Sequence, residues 1–192
     1  MKRLLLSALA FGMTLILAAT SVLAADKKAA RAPQAVEPKP VAASAPAPSG
    51  PANNITQALF NAGAVTCAPR VNQITNFLIA GGEVGTFLFV PPKDVDRAMI
   101  SASMEIQAPN TPLAYASASF SPGTAVGCGG MYETVVYWNA ACNAVASQIF
   151  KDGKVAGPLM KSITILEISP SGRVFLMPAG QGCVSIKKEV LM

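Results

Sequence analysis

The stretch Gly127-Cys128-Gly129-Gly130-Met131-Tyr132-Glu133-Thr134-Val135-Val136-Tyr137-Trp138-Asn139-Ala140-Ala141-Cys142 organises the chain. It holds two of the four cysteines, the single tryptophan and two of the three tyrosines. The run from Met131 to Trp138 is rich in β-branched and aromatic residues and reads as a strand. Glycines precede it, and a helix over about 140–150, using Val145, Ile149 and Phe150, follows it. One cysteine therefore enters the strand and the other opens the helix, so crosslinks leave from both ends of one central element.

Working upstream, Leu113 to Ser121 sets Ala114, Ala116, Ala118 and Phe120 opposite Tyr115, Ser117 and Ser119. Ala98 to Gln107 alternates in the same way, so both read as half-buried strands. Val84 to Val90 is a short apolar run closed by Pro91-Pro92. Phe87 and Phe89 on one face with Leu88 and Val90 on the other predict a strand buried on both sides. Before it, Thr66 to Pro69 opens a helix over Val71, Ile74 and Leu78 that Gly81-Gly82 ends. Asn53 and Asn54 cap a shorter helix with Ile55, Leu59 and Ala62 that stops near Gly63.

Downstream, Asp152-Gly153 ends the second helical region. Strands follow over about 161–168, 173–177 and 183–190, with Pro170-Ser171-Gly172 as a hairpin turn. The expected fold is α+β: an antiparallel or mixed sheet of about six to seven strands with two or three helices, stapled by disulfides. Cys67 and Cys142 each stand near the start of a helix that leads to a Gly-rich turn and strands. This order suggests a diverged duplication, although residue matches are too few to establish one.

The N-terminal quarter has a different composition. Residues 1–24 read as a signal peptide, with Lys2-Arg3 before an apolar core and Val22-Leu23-Ala24 as the cleavage site. An uncleaved membrane anchor is the competing reading, because the uncharged run from Leu4 to Ala25 is long enough to span a bilayer. Residues 25–52 form an Ala/Pro-rich linker with almost nothing to bury. Residues 53–192 then form a single α+β domain. The sequon Asn54-Ile55-Thr56 matters only in a eukaryotic secretory pathway.

The formal charge of +5 does not come from that domain. From Asn53 onward nine Lys/Arg face eight Asp/Glu, so the clustered basic surface of a nucleic-acid binder is not expected. There is no histidine, which excludes histidine-based nucleophile pairs, His-ligated zinc or copper sites and the commonest general base. No cofactor or metal site is expected; Lys93-Asp94-Val95-Asp96-Arg97 has too few oxygen ligands for calcium.

Four cysteines behind a signal segment imply two disulfides. The expected pairing is Cys67 with Cys142, both at helix starts, and Cys128 with Cys183, both in Gly-Cys pairs that open strands. No Cys-x-x-Cys is present for redox work. Gly127-Cys128-Gly129-Gly130 lacks the Lys-Ser/Thr of a phosphate loop and leads into a strand, so it reads as a turn that serves Cys128. Tyr132, Tyr137 and Trp138 form a candidate binding patch, with core packing as the alternative. Glu105 and Glu133 are the carboxylates best placed on strands for acid–base work.

These readings predict an exported, periplasmic or secreted, non-catalytic binding or accessory module of the cell envelope. Its partner would be an envelope protein or a wall polymer. The alternatives are a carboxylate-based hydrolase of wall polysaccharide that uses Glu105 and Glu133, and a membrane-tethered structural protein if the leader is retained.

Overall fold

In the computed structural model, residues 51–123 and 127–192 are described. The expected signal peptide and nearly all of the linker lie outside the described residues. The elements run α1 (Asn54–Asn61), α2 (Ala68–Ile79), β1 (Glu83–Phe89), β2 (Ile100–Gln107), β3 (Ala114–Gly123), β4 (Gly127–Trp138), α3 (Cys142–Gln148), β5 (Lys154–Leu159), β6 (Ile163–Glu167), β7 (Gly172–Ala179) and β8 (Gly182–Leu191). Among the described residues the class is α+β with three helices, and the strands form one eight-stranded sheet in the order β1-β2-β3-β4-β8-β7-β6-β5. Every neighbouring pair is antiparallel.

The strand missing from the sequence-based count is β5. Its Gly157-Pro158 argues against a strand, but β5 lies at the sheet edge, where proline's missing donor breaks no ladder bond.

Local chemistry starts and stops the helices where the sequence indicates. The Asn53 side chain accepts from the Thr56 amide at 2.9 Å to cap α1, and Gly63 follows its end with φ 103°. Proline occupies the first turn of α2, and Ala80 closes that helix in the left-handed region ahead of Gly81.

Side chains alternate across the sheet, and among the described residues one face carries the helices. On β4 that face presents Cys128, Gly130, Tyr132, Thr134, Val136 and Trp138, paired with Leu191, Glu189, Lys187, Ser185 and Cys183 of β8. Two hydrophobic clusters sit on it side by side. The larger joins α1 and α2 to β2, β3 and β4 through Leu59, Val71, Ile74, Ile100, Met104 and Phe120. The smaller joins α3 to β6, β7 and β8 through Val145, Leu166, Val174, Leu176 and Cys183. Small residues let α2 lie close to the sheet: a Cβ added at Gly130 would stand 2.6 Å from Ile74 Cδ1.

The disulfides are Cys67–Cys128 and Cys142–Cys183. This corrects the expected pairing of Cys67 with Cys142 and Cys128 with Cys183. Each bridge ties the start of a helix to the strand beneath it, because two helices over opposite halves of one sheet hold their cysteines too far apart to join.

The two halves therefore share one plan: helix, four-stranded meander, and a bridge from helix start to last strand. Pro122 faces Cys128 and Pro178 faces Cys183, so the equivalence extends to the hairpin before each Gly-Cys. Superposing Cys128 on Cys183 carries Glu133 onto Lys188, the residue it faces across the ladder. A pseudo-twofold axis thus passes through that pair. The repeat is legible in topology, while the residues have diverged.

Candidate functional site

Among the described residues, the second face of the sheet carries no helix. Its side chains are Gly85, Phe87 and Phe89 on β1, Ser101, Ser103 and Glu105 on β2, and Tyr115 and Ser117 on β3. The same face continues through Met131, Glu133, Val135 and Tyr137 on β4, then Val184, Ile186 and Lys188 on β8. Eight strands at their usual spacing make it roughly 34 Å wide. Phe87 is 65% exposed, Phe89 55%, Tyr137 50% and Tyr115 46%. Tyr115 and Tyr137 continue into Val135, Ile186 and Val184, whereas Ser101, Ser103, Glu105 and Ser117 separate Phe87 and Phe89 from them. Exposed apolar groups rimmed by polar residues mark interaction surfaces.

The expectation that β1 is buried on both sides is thus corrected. Apart from half-buried Leu88, all its residues are exposed, because β1 is an outer strand with a neighbour on one side only. Phe87 and Phe89 meet each other edge to face, with ring centroids 5.0 Å apart.

Charge is distributed unevenly across this face. The β1–β4 half contributes Glu83, Glu105 and Glu133, while the β5–β8 half contributes Lys154, Arg173 and Lys188 with Glu167. Glu133 and Lys188 bridge the halves at 2.9 Å, on the pseudo-twofold axis. Glu167 and Arg173 pair at 3.2 Å.

Glu105 and Glu133, the candidate acid–base pair, both lie on this face. Glu105 is opposite Tyr115, which is opposite Val135, whereas Glu133 lies in the next row opposite Ser117. Their Cα positions are therefore roughly 12 Å apart by sheet geometry, two strands across and two residues along.

The structure divides the aromatic patch. Tyr137 is on the open face, whereas Tyr132 and Trp138 are on the helical face. Trp138 packs on the smaller cluster and donates from Nε1 to Ser185 Oγ at 2.8 Å. Tyr132 is buried beside Phe77 of α2, ring centroids 5.5 Å apart. Its hydroxyl donates to Glu189 Oε2 at 2.5 Å. Burial and this carboxylate push the Tyr132 hydroxyl well above the usual tyrosine range. In return, the Tyr132 hydrogen bond, with help from Ser169 and Lys187, holds the Glu189 carboxyl below its ordinary value. Lys187 Nζ lies 5.2 Å from the Phe77 ring centre and 5.4 Å from that of Tyr132. Phe77, Tyr132 and Glu189 line a cleft of about 300 Å³ with Gln73, Ile74 and Leu191.

Asp96, from the acidic pair considered for calcium, is used structurally. It accepts from the Thr66 amide at 2.6 Å and the Thr66 hydroxyl at 2.8 Å, tying the loop after β1 to the entrance of α2. Among the described residues, no group of three or more acidic, cysteine or histidine side chains is placed to hold a metal ion. All four cysteines are consumed in the bridges, a state that suits an oxidising, exported environment. Among the described residues, no helix is long and apolar enough to cross a membrane.

Residue-type reasoning misses Phe87, Phe89 and Tyr115 as surface groups. The signal that finds them is parity. Glu83 is in phase with Phe87 and Phe89 on β1 and Glu133 with Tyr137 on β4, so these aromatics share the solvent side with carboxylates. Tyr115 has no carboxylate on its own strand and is placed by its register with Glu105. A comparison with known protein families, curated proteins and solved structures gave no match to this chain.

Proposed function

We propose that the protein is an exported, periplasmic, non-catalytic binding module of the cell envelope, and that its binding surface is the open face of the sheet. The observation that supports this most is the set of exposed apolar side chains Phe87, Phe89, Tyr115, Met131 and Tyr137 on one face, on a backbone held rigid from behind by two clusters and two disulfides. Burying exposed aromatics is worth roughly 25 cal/mol per Å² of apolar area, before the costs of association. The partner that fits is a folded envelope protein with a flat apolar surface, acidic opposite the β5–β8 half and basic opposite the β1–β4 half. Binding is favoured over hydrolysis because Glu133 is ion-paired with Lys188 and Glu105 lies two strands away.

The test is retention of partners from envelope extract by the oxidised protein and by the Tyr115→Lys and Tyr137→Lys variants. Partners held by the parent protein and released by both variants support the reading. Equal retention by all three removes the open face from the interaction, and retention of a wall polymer in place of a protein changes the partner class.

A further inference from the structure

The sheet ends in two edge strands, β1 and β5, and only one of them is protected against pairing. In β5 a register shift between Val155 and Gly157 interrupts the ladder, Gly157 has φ 131°, and Pro158 removes a donor. Bulges and prolines of this kind stop another strand from adding to an edge. β1 has neither. Its seven residues pair with β2 in unbroken register, from Glu83 with Gln107 to Phe89 with Ser101. Among the described residues, this unbroken edge without lysine or proline leaves a row of backbone donors and acceptors free to pair.

The sequence of β1 also fits itself. In an antiparallel pairing centred on Thr86, Gly85 of one chain faces Phe87 of the other, and Val84 faces Leu88. A Cβ placed on Gly85 would meet nothing within 4 Å, while Phe87 is 65% exposed on the same face. A large ring laid over an edge glycine on a neighbouring strand stabilises such pairs. The two-fold arrangement fills both glycine sites at once, and Glu83 faces Phe89 rather than another carboxylate. Thr86 then faces its own copy across the axis.

We infer that β1 is a self-association edge, through which two copies of this chain join their sheets by antiparallel pairing of Glu83–Phe89 about Thr86. The contact draws Phe87 and Phe89 of the open face into the pairing and leaves its Tyr115–Tyr137 region uncovered, so Tyr137 separates self-association from the proposed binding role.

Sedimentation equilibrium of the purified, oxidised protein from about 1 μM to about 1 mM spans the affinities expected of a small contact. A concentration-dependent dimer is expected. Phe87→Lys should weaken it at least about tenfold, as loss of a central aromatic does, with an unchanged circular dichroism spectrum showing that the variant is folded. Tyr137→Lys should leave it intact.

A second measurement reads the register. Across an antiparallel pair the two residue-86 Cα atoms would lie about 4.5–5.5 Å apart, within disulfide range. Under mild oxidation Thr86→Cys should therefore form a reducible covalent dimer, whereas Val84→Cys, four residues from its own copy, should not. A monomer throughout overturns the inference. So does a dimer that Tyr137→Lys abolishes, which would place the contact on the open face. A dimer that Thr86→Cys fails to trap, or that crosslinks equally through Val84→Cys, overturns the register.

Discussion

The half built on α1, α2 and β1–β4 and the half built on α3 and β5–β8 share a plan but not a source of stability. In the first, Ile55, Leu59, Val71, Ile74 and Leu78 descend from two helices onto Met104, Ala118 and Phe120. Asn53 caps α1, and Arg70 Nε donates to the Cys128 carbonyl at 3.2 Å. In the second, a helix of seven residues buries Val145 alone and has no side-chain cap. A helix this short has no stability of its own in water, so its position depends on what holds it down. The same disulfide placement thus does different work. In the first half it reinforces a packed helix; in the second it is the main tether.

The largest effect should come from truncating the first core. Phe120 and Leu176 are equivalent positions, opposite Gly130 and Ser185 respectively, and both are fully buried. Phe120→Ala should cost about 3–5 kcal/mol and Leu176→Ala about 2–3 kcal/mol, read by urea denaturation. Equal losses would show that the halves are as well packed as each other.

Next come the bridges. Replacing either cysteine pair by alanine should cost about 2–4 kcal/mol, since the enclosed loops are of comparable length in the logarithm that sets the entropy. Hydrogen exchange should separate them. Without Cys142–Cys183 the amides of α3 should lose protection while β6 and β7 keep theirs, and without Cys67–Cys128 the amides of α2 should stay protected. Equal loss in α2 and α3 would break the comparison.

Gly130→Ala tests the close approach of α2, and a methyl that collides with Ile74 should cost about 1–3 kcal/mol. The matching position in the second half, Ser185, already carries a side chain, so Ser185→Ala should cost only about 1 kcal/mol through the lost Trp138 hydrogen bond.

The smallest effect is electrostatic and lies at the seam. Glu189 has a lowered carboxyl pKa, so its contribution is present above its unfolded value and fades as pH falls below about 4. Tyr132 is raised, so its contribution is complete below about pH 10 and fades above that. Tyr132→Phe should cost about 1 kcal/mol at neutral pH and flatten both flanks of the stability profile.

Much of this arrangement is readable in the residues. Asn53, Gly63, Pro69 and Gly81-Gly82 mark helix ends through backbone chemistry that acts locally, and the alternation in β2 and β3 marks their faces. What fails to read is non-local. A run such as Val84 to Val90 looks buried on both sides until its place at the edge is known. The pairing of cysteines depends on which helix lies over which strand. Parity, however, was available at the aromatic patch: Tyr132 and Trp138 are an even number of residues apart and Tyr137 is not, so a single strand cannot present all three on one side.

The position of β8 bears on how the protein comes to be folded. Among the described strands it comes last in chain order, yet it lies between β4 and β7 and connects the two halves of the sheet. Until Gly182–Leu191 arrives, β1–β4 and β5–β7 are separate meanders, and neither Cys142 nor the central ladder has its partner. Joining the two meanders therefore waits on β8, and its placement completes the central ladder and the second bridge in one step.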